Sequence, residues 1–134
     1  MPKSFDISYV RQGSEPKPFI LITIRRQGRE YTARFLVDSG ADYSIINAEF
    51  AEILGIPLER LPTRDVRGIG GVVRLSSLPL SFEIPGSGFS FEATTFFGRD
   101  YRGGVNLLGR KPLFSLCKVT FDDNGQKLSL LGHD

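Results

Sequence analysis

The stretch FLVDSGADYSII, residues 35–46, places an acid at the end of an apolar run. Asp38 follows three apolar residues, and a hydroxyl and a glycine follow it at Ser39 and Gly40. Asp and Ser side chains bond to nearby backbone groups, so Asp-Ser-Gly is by itself typical of a turn. A chemical role for Asp38 therefore needs support from the rest of the chain.

Composition limits the class of protein. The chain has 134 residues, enough for one domain, with 40% hydrophobic and 24% charged residues. A net charge of +2 with scattered Lys and Arg does not favour nucleic acid. One cysteine excludes an intrachain disulfide and fits a reducing compartment. Neither a signal peptide nor a membrane helix is recognisable. We therefore expect a cytoplasmic domain without nucleic-acid or membrane partners.

Residue preferences predict a mainly β chain of eight or nine short strands. The predicted extended segments are rich in β-branched and aromatic residues: 18–26, 30–37, two arms within 63–84, 89–97 and 117–131. A turn at 27–28 makes the first two a hairpin, which delivers the chain to Asp38. Asn124-Gly125 is expected to supply positive φ in the last hairpin. Residues 96–104 are interpreted as a surface loop, with lining of a substrate groove as the alternative.

One or two short helices are predicted. Residues 47–56 favour a helix that Asn47 caps and Gly55 ends. Its expected core face has i, i+3, i+4 spacing: Phe50, Ile53 and Leu54. A second short helix is predicted near 110–117, with Pro112 in its first turn.

Two more segments have glycine at informative positions. Arg67–Gly71 reads RGIGG between two extended arms, and residues 107–110 read LLGR after an apolar run. A glycine cluster alone indicates a turn as readily as a functional loop. The first segment has no Gly-Lys-Ser/Thr and is not a phosphate loop.

The three segments in this order resemble the retropepsin-like aspartic proteases. Residues 35–46 resemble the active-site loop, 67–71 the tip of the flap, and 107–110 the segment that closes the second half of the fold. The family more often has Asp-Thr-Gly, so Ser39 is a modest departure. The resemblance covers about residues 18–131 and implies a closed β-barrel of the acid-protease type with one or two short helices.

The resemblance also implies a domain division. Residues 18–134 are expected to form the protease domain. Residues 1–17 are expected to be an N-terminal extension that can supply a dimer-interface strand, for which 5–10 and the C-terminal hairpin 117–131 are the candidates.

A single Asp-Ser-Gly implies a homodimer with one Asp38 from each chain. The catalytic residues implied are Asp38, Ser39 and Gly40, with neither a metal nor another cofactor. Ser39 is expected to hydrogen-bond across the two-fold axis. Gly40 is expected to allow close approach of substrate and a backbone conformation closed to residues with a Cβ.

The remaining site residues follow from the same resemblance. The implied substrate-binding residues are Ala41, Asp42, Gly68, Ile69, Gly70 and Gly71. The implied structural support is Leu107, Leu108, Gly109 and Arg110. Asp42 is expected to accept a substrate backbone N–H or to pair with Arg110.

Two functions remain open from the sequence. The first is an aspartic endopeptidase that cleaves extended peptides. The second is a retropepsin-fold dimerisation or peptide-binding module with little or no turnover. The only histidine, His133, is next to the last residue, which argues against Ser-His-Asp and Cys-His catalysis.

Overall fold

A computed structural model describes residues 3–68, 70–98, 100–102 and 104–133. Within these ranges the chain is mainly β, with twelve strands, two short α-helices and one 3-10 turn. The strands are β1 Ser4–Ser8, β2 Val10–Gln12, β3 Glu15–Lys17, β4 Phe19–Arg26, β5 Arg29–Val37, β6 Ser44–Ile45, β7 Arg64–Gly68, β8 Gly71–Ile84, β9 Phe89–Phe97, β10 Asn106–Leu108, β11 Cys117–Asp122 and β12 Lys127–Gly132. The helices are α1 Ala48–Ile53 and α2 Leu113–Leu116, and the 3-10 turn is Leu58–Arg60.

The strand count exceeds the predicted eight or nine. The additional strands are two or three residues long, namely β2, β3, β6 and β10. Segments this short contain too few residues to show the two-residue alternation from which strands are recognised.

Six strands close into a barrel. Their order is β4-β5-β10-β6-β9-β8, and β8 pairs again with β4 through Thr23–Arg25. The hairpin of β4 and β5 pairs along its whole length, as the sequence predicted. The closed barrel with two short helices that the resemblance implies is therefore confirmed. No helix in the described ranges is long and apolar enough to cross a membrane.

Alternate residues of β4 fill the barrel interior. Ile20, Ile22 and Ile24 are at most 2% exposed. Phe35 from β5 makes edge-to-face contacts with Phe82 and with Phe50, at centroid distances of 5.8 and 6.0 Å. Aromatic pairs of this kind add about 0.5–1.5 kcal/mol beyond area burial. The contact with Phe50 joins α1 to the barrel.

The core-facing side of α1 differs in one residue from the prediction. Phe50 and Leu54 are buried, but Ile53 is 44% exposed. The side of α1 that packs inward also includes Ala48 and Ala51, which are fully buried. The inward side of α1 is thus formed by Ala48, Phe50, Ala51 and Leu54, and Ile53 lies on its outer side.

The ends of α1 are also only partly as predicted. Gly55 ends the helix with φ of +70°, as expected. Asn47 is the N-cap residue, but its side chain makes no capping hydrogen bond. It donates instead to Asn106 Oδ1, at 2.9 Å, and so ties the helix to the strand β10. Arg26 bonds to the carbonyl oxygens of Leu54 and Gly55 at the other end.

The two chain ends form a separate three-stranded sheet, β1-β12-β11. β1 pairs antiparallel with β12 from Ser4 opposite Leu131 to Ser8 opposite Lys127. Phe5 pairs with Leu130 of the same chain and packs against the core. Residues 3–17 are thus joined to the rest of the chain by this pairing and by the Tyr9 N–H, which donates to the Gln126 carbonyl at 2.8 Å. The domain boundary and the dimer-interface strand stay predictions.

The turn of the C-terminal hairpin has a different geometry from the one predicted. Positive φ falls on Gln126, at 53°, and not on Asn124 or Gly125. Gly125 donates its N–H to Asp122 Oδ1 at 2.9 Å, and an added Cβ would clash with the same carboxylate. Glycine at position 125 therefore lets the Asp122 carboxylate lie close to the backbone of the turn. Next to this turn, Tyr9 donates to Asp123 Oδ1, and burial together with that bond raises the pKa of Tyr9 to about 12.

Two neighbouring leucines in β12 test the core assignment. Leu130 is 1% exposed and Leu131 is 45% exposed. We expect Leu130→Ala to lower the free energy of unfolding by about 2–5 kcal/mol, because it leaves a cavity. Leu131→Ala is the matched control and should cost about 0.5 kcal/mol or less. Urea unfolding at one protein concentration measures both. Equal losses would contradict the packing described for β12.

Candidate active site

Asp38 is held at the end of β5 by a neighbouring parallel strand. β5 and β10 pair in parallel register, with Val37 opposite Leu108. The Asp38 N–H donates to the carbonyl oxygen of Leu108 at 3.0 Å. The strand therefore ends at the acid, as the sequence predicted, and backbone hydrogen bonds fix where the carboxyl group begins.

The residues after Asp38 form a tight turn. The Gly40 N–H donates to Asp38 Oδ1 at 2.8 Å, and the Ala41 N–H donates to the Asp38 carbonyl at 3.3 Å. Asp38 is half-buried, whereas Ser39 and Gly40 are exposed. Among the described residues, neither Asp38 Oδ2 nor the Ser39 hydroxyl has a hydrogen-bond partner. The turn interpretation of Asp-Ser-Gly is thus correct locally, and it leaves one carboxylate oxygen free to act.

The conformational prediction for Gly40 is wrong. Its φ is not in the left-handed region, so the backbone there is open to other residues. The constraint comes from contact, since a Cβ at Gly40 would lie 3.2 Å from Asp38 Oδ1. The absent side chain matters because the N–H of Gly40 must reach the carboxylate.

The LLGR segment contacts the Asp38 loop through hydrogen bonds of its backbone; its role as structural support stays a prediction. The backbone N–H groups of Arg110 and Lys111 donate to the carbonyls of Ala41 and Asp42, both at 2.8 Å. The Gly109 N–H donates to Ser44 Oγ, a hydroxyl that is fully buried, at 3.1 Å. Backbone hydrogen bonds therefore hold the LLGR segment against the Asp38 loop.

The side chains at this junction do not form the expected ion pair. In the described parts of the chain, the carboxylate of Asp42 has no ion-pair partner, and the guanidinium of Arg110 lies over the ring of Phe114, at 5.7 Å from its centroid. The backbone bonds already join the two loops, so the junction does not depend on that pair.

Leu107 and Leu108 have different positions. Leu108 is 1% exposed and belongs to the core. Leu107 pairs with Leu36 and with Ile45, and its side chain lines the cleft described below. Leu107 is thus a wall residue as well as a support.

The glycine-rich segment is the end of a long hairpin. β7 and β8 pair antiparallel up to Gly68 opposite Gly71, so the two predicted arms are present. Gly71 has φ of +114°, a conformation that favours glycine. Gly70 is exposed, and an added Cβ there would meet no other atom within 4 Å. Ile69, predicted to bind substrate, lies outside the described residues.

A cleft of about 680 Å³ separates this hairpin from the Asp38 loop. Its size is within the range typical of ligand-binding sites. Its lining residues come from the loop, the hairpin and the barrel wall: Gly40, Ala41, Asp42, Tyr43, Ser44, Ile45, Arg64, Asp65, Val66, Arg67, Leu75, Phe96 and Leu107.

Comparison with known proteins places the chain in a family. The sequence profile described as Aspartyl protease matches residues 22–109, which include the Asp38 loop, the glycine-rich hairpin and most of the LLGR segment. The chain belongs to the aspartyl protease family. A search of curated proteins found no match to this chain.

Solved structures of aspartyl proteases share the fold. A retropepsin-like aspartic protease from Rickettsia conorii is 21% identical with a TM-score of 0.70, over 99% of this chain and 97% of that one. The EIAV protease complexed with the inhibitor HBY-793 is 23% identical with a TM-score of 0.56, over 80% and 94%. The retroviral protease-like domain of Ddi1 from Leishmania major is 20% identical with a TM-score of 0.52, over 88% and 94%.

Three residues of this aspartyl protease cleft were not singled out from the sequence. Tyr43 and Phe96 stack with centroids 5.3 Å apart, and the Arg64 guanidinium lies 4.7 Å from the Phe96 centroid. Phe96 lies in β9 and not in the surface loop assigned to 96–104. The alternation of residues 89–97 could have located it, since the strand was recognised. Nothing local marks Arg64, because its contact is with a residue 32 positions away.

A substitution at Gly109 tests the contact between the two halves of the site. An added Cβ would lie 2.8 Å from the Tyr43 backbone nitrogen and closer to its carbonyl group, and backbone cannot move aside cheaply. We expect Gly109→Ala to lower the free energy of unfolding by about 2–3 kcal/mol or more.

Gly70→Ala is the control, since that position has open space and no left-handed φ. It should change stability by about 0.5 kcal/mol or less. Thermal or urea unfolding of both variants makes the measurement. A Gly109→Ala variant as stable as the control would show that the loop and the LLGR segment are not packed as described.

Proposed function

We propose that this chain is an aspartic endopeptidase that is active as a homodimer. The observation that supports this most strongly is the position of the Asp38 carboxylate. It is half-buried and held by one N–H from Gly40, and the residues that follow it, 40–45, line the 680 Å³ cleft together with residues of the β7–β8 hairpin. A fixed carboxylate beside a cleft of substrate size is suited to activate water.

A second copy of the chain supplies what one copy lacks. The sequence has one Asp-Ser-Gly, so one chain provides one catalytic acid. Asp38 Oδ2 and the Ser39 hydroxyl have no hydrogen-bond partner in the described chain, and Ser39 is exposed. In the proposed dimer, a two-fold axis between two copies of this loop brings the carboxyl groups together, and each Ser39 bonds across the axis.

The proposed chemistry uses the unequal protonation of this pair. Two carboxyl groups in contact do not both ionise, so they share one proton, as aspartic proteases do in general. The ionised Asp38 removes a proton from a bound water, which attacks the scissile carbonyl carbon. The protonated Asp38 of the other chain hydrogen-bonds to the carbonyl oxygen. Proton transfer to the amide nitrogen then allows the C–N bond to break.

The substrate is proposed to lie in the cleft as an extended peptide. Its backbone would bond to Gly70 and its neighbours on the hairpin, to Gly40, and to the Asp42 carboxylate, which has no ion-pair partner in the described chain. Backbone bonding of this type gives affinity, and the pockets for alternate side chains give selectivity. Opening of the β7–β8 hairpin would admit the peptide.

The terminal sheet is the proposed dimer interface. β1 and β11 are its two edge strands in the described chain, and their outward backbone groups remain available for pairing. Residues 5–10 and 117–131 are thus still the candidates for contact with the partner.

The alternative is a dimerisation or peptide-binding module without turnover. Such a module has no need of a carboxylate at residue 38. The N–H bond from Gly40 to Asp38 and the free second oxygen favour the enzyme, because they orient a charged group toward reaction.

Replacement of Asp38 separates these two functions. We expect Asp38→Asn to lower kcat/KM on a peptide library by at least about a hundredfold, because the amide cannot act as a base. The exposed Glu92→Gln is the control for loss of a carboxylate outside the site. The wild type and both variants are assayed at several values between about pH 4 and pH 7, because general acid–base catalysis depends on pH.

The outcomes differ for each function. Unchanged cleavage by the Asp38→Asn variant would rule out the proposed catalytic role. Wild-type protein that binds peptides but cuts none would support the binding module. Circular dichroism of each variant verifies that the fold is retained.

Mixing of variants tests whether each site needs two chains. When wild-type and Asp38→Asn chains are refolded together in equal amounts, roughly half of the wild-type chains enter mixed dimers. We expect activity per wild-type chain to fall to roughly half, because a mixed dimer has one acid. Refolding with the Glu92→Gln variant should cause no loss. Activity that is independent of added Asp38→Asn chains would place the whole site in one chain.

A further inference from the structure

The wall of the cleft contains a pair of stacked aromatic rings. Tyr43 and Phe96 have centroids 5.3 Å apart and an interplanar angle of 29°. Tyr43 is 40% exposed, whereas Phe96 is 5% exposed. Both line the cleft next to the Asp38 loop.

Each ring has a cation beside it. The Arg64 guanidinium carbon lies 4.7 Å from the Phe96 centroid, and Lys111 Nζ lies 5.2 Å from the Tyr43 centroid. In the described chain, neither Arg64 nor Lys111 has an ion-pair partner. A cation–π contact orients a cation without neutralising it. By contrast, Arg25 on the barrel surface is paired with two carboxylates.

The charges around this ring pair do not balance. Arg67 also lines the cleft and has no ion-pair partner in the described parts of the chain. The acid next to Arg64, Asp65, is paired with Arg74 at 3.4 Å. Asp42 is the remaining acid of the lining, and the proposed function assigns it to the peptide backbone. Among the described lining residues, the unpaired cations Arg64 and Arg67 therefore outnumber the one unpaired acid, Asp42.

The geometry points to a subsite for an acidic side chain at Arg64, which lines the cleft beside Phe96, with Lys111 beside Tyr43 as a second, more distant cation; this inference rests on the proposed peptidase function. The Arg64 guanidinium offers N–H donors that suit a carboxylate. Phe96 itself is buried, so the accessible group on its side of the cleft is the Arg64 guanidinium and not the ring. The subsite thus selects peptides with Asp or Glu at one fixed distance from the cleaved bond.

Peptide series with single changes test the charge preference. Peptides cut by the wild type are each offered with Glu, Gln or Lys at one position, and each position is scanned in turn. At one position we expect Glu to exceed Gln in kcat/KM by about 5- to 10-fold, since exposed ion pairs contribute up to about 1 kcal/mol each. The ratio should fall as salt is raised.

Single substitutions test which residues cause the preference for Glu over Gln. Arg64→Gln should lower the Glu/Gln ratio to about twofold or less, Lys111→Gln should lower it in part, and Arg64→Glu should favour Lys. Arg34→Gln is the matched control, because Arg34 also lies on a phenylalanine ring, Phe19 at 5.1 Å, but outside the cleft lining. This control should keep the wild-type ratio.

A binding assay separates failure of this inference from failure of the proposed function. The same peptides, carrying a fluorophore, are titrated into the Asp38→Asn variant and into Asp38→Asn combined with Arg64→Gln. If the wild type cuts no peptide, yet Glu peptides bind Asp38→Asn more tightly through Arg64, the subsite stands and the catalytic proposal fails. The subsite is overturned if Glu has no advantage in either assay, or if its advantage persists without Arg64.

Discussion

The site depends on the parallel pairing of β5 with β10. In the closed barrel β5 lies between β4 and β10, and β10 lies between β5 and β6. The bond from the Asp38 N–H to the Leu108 carbonyl is therefore part of a continuous sheet. Without this pairing, Asp38 would lie in a loop with no neighbouring strand. β10 is adjacent to β5 in the barrel but not in the sequence, and its hydrogen bond fixes the backbone position of Asp38. The backbone bonds from residues 110 and 111 extend the same support to the loop that follows.

The Asp38 turn illustrates how an ordinary structural motif can carry chemistry. The bond from Gly40 to Asp38 Oδ1 is the bond of a common Asx-type turn. It stabilises the turn and at the same time orients the carboxylate, leaving the second oxygen unbonded within the described chain. The turn interpretation and the catalytic interpretation of Asp-Ser-Gly thus describe the same arrangement of atoms. The family assignment favours the catalytic interpretation.

The sequence predicted those features that depend on neighbouring residues. The β4–β5 hairpin, the end of α1 at Gly55 and the two arms of the glycine-rich hairpin follow from local preferences and turn residues. The motif order also singled out the Asp38 loop and the LLGR segment, which backbone hydrogen bonds hold together in the structure. Contacts between distant segments were not predictable in the same way. Asn47 bonds to Asn106 instead of capping its helix, and the exposure of Ile53 depends on how closely α1 lies against the barrel.

The strand β8 pairs with β7 at the cleft and with β9 and β4 inside the barrel. Residues 71–75 pair with β7 alone, and residues 76–84 pair with β9. The exchange of partners occurs between Leu75 and Ser76, each 4% exposed. The base of the hairpin is therefore anchored by residues packed inside the protein. Beyond this anchor, residues 71–75 are attached to the rest of the chain by a single neighbouring strand, so the part of β8 nearest the cleft has less support than the part in the barrel.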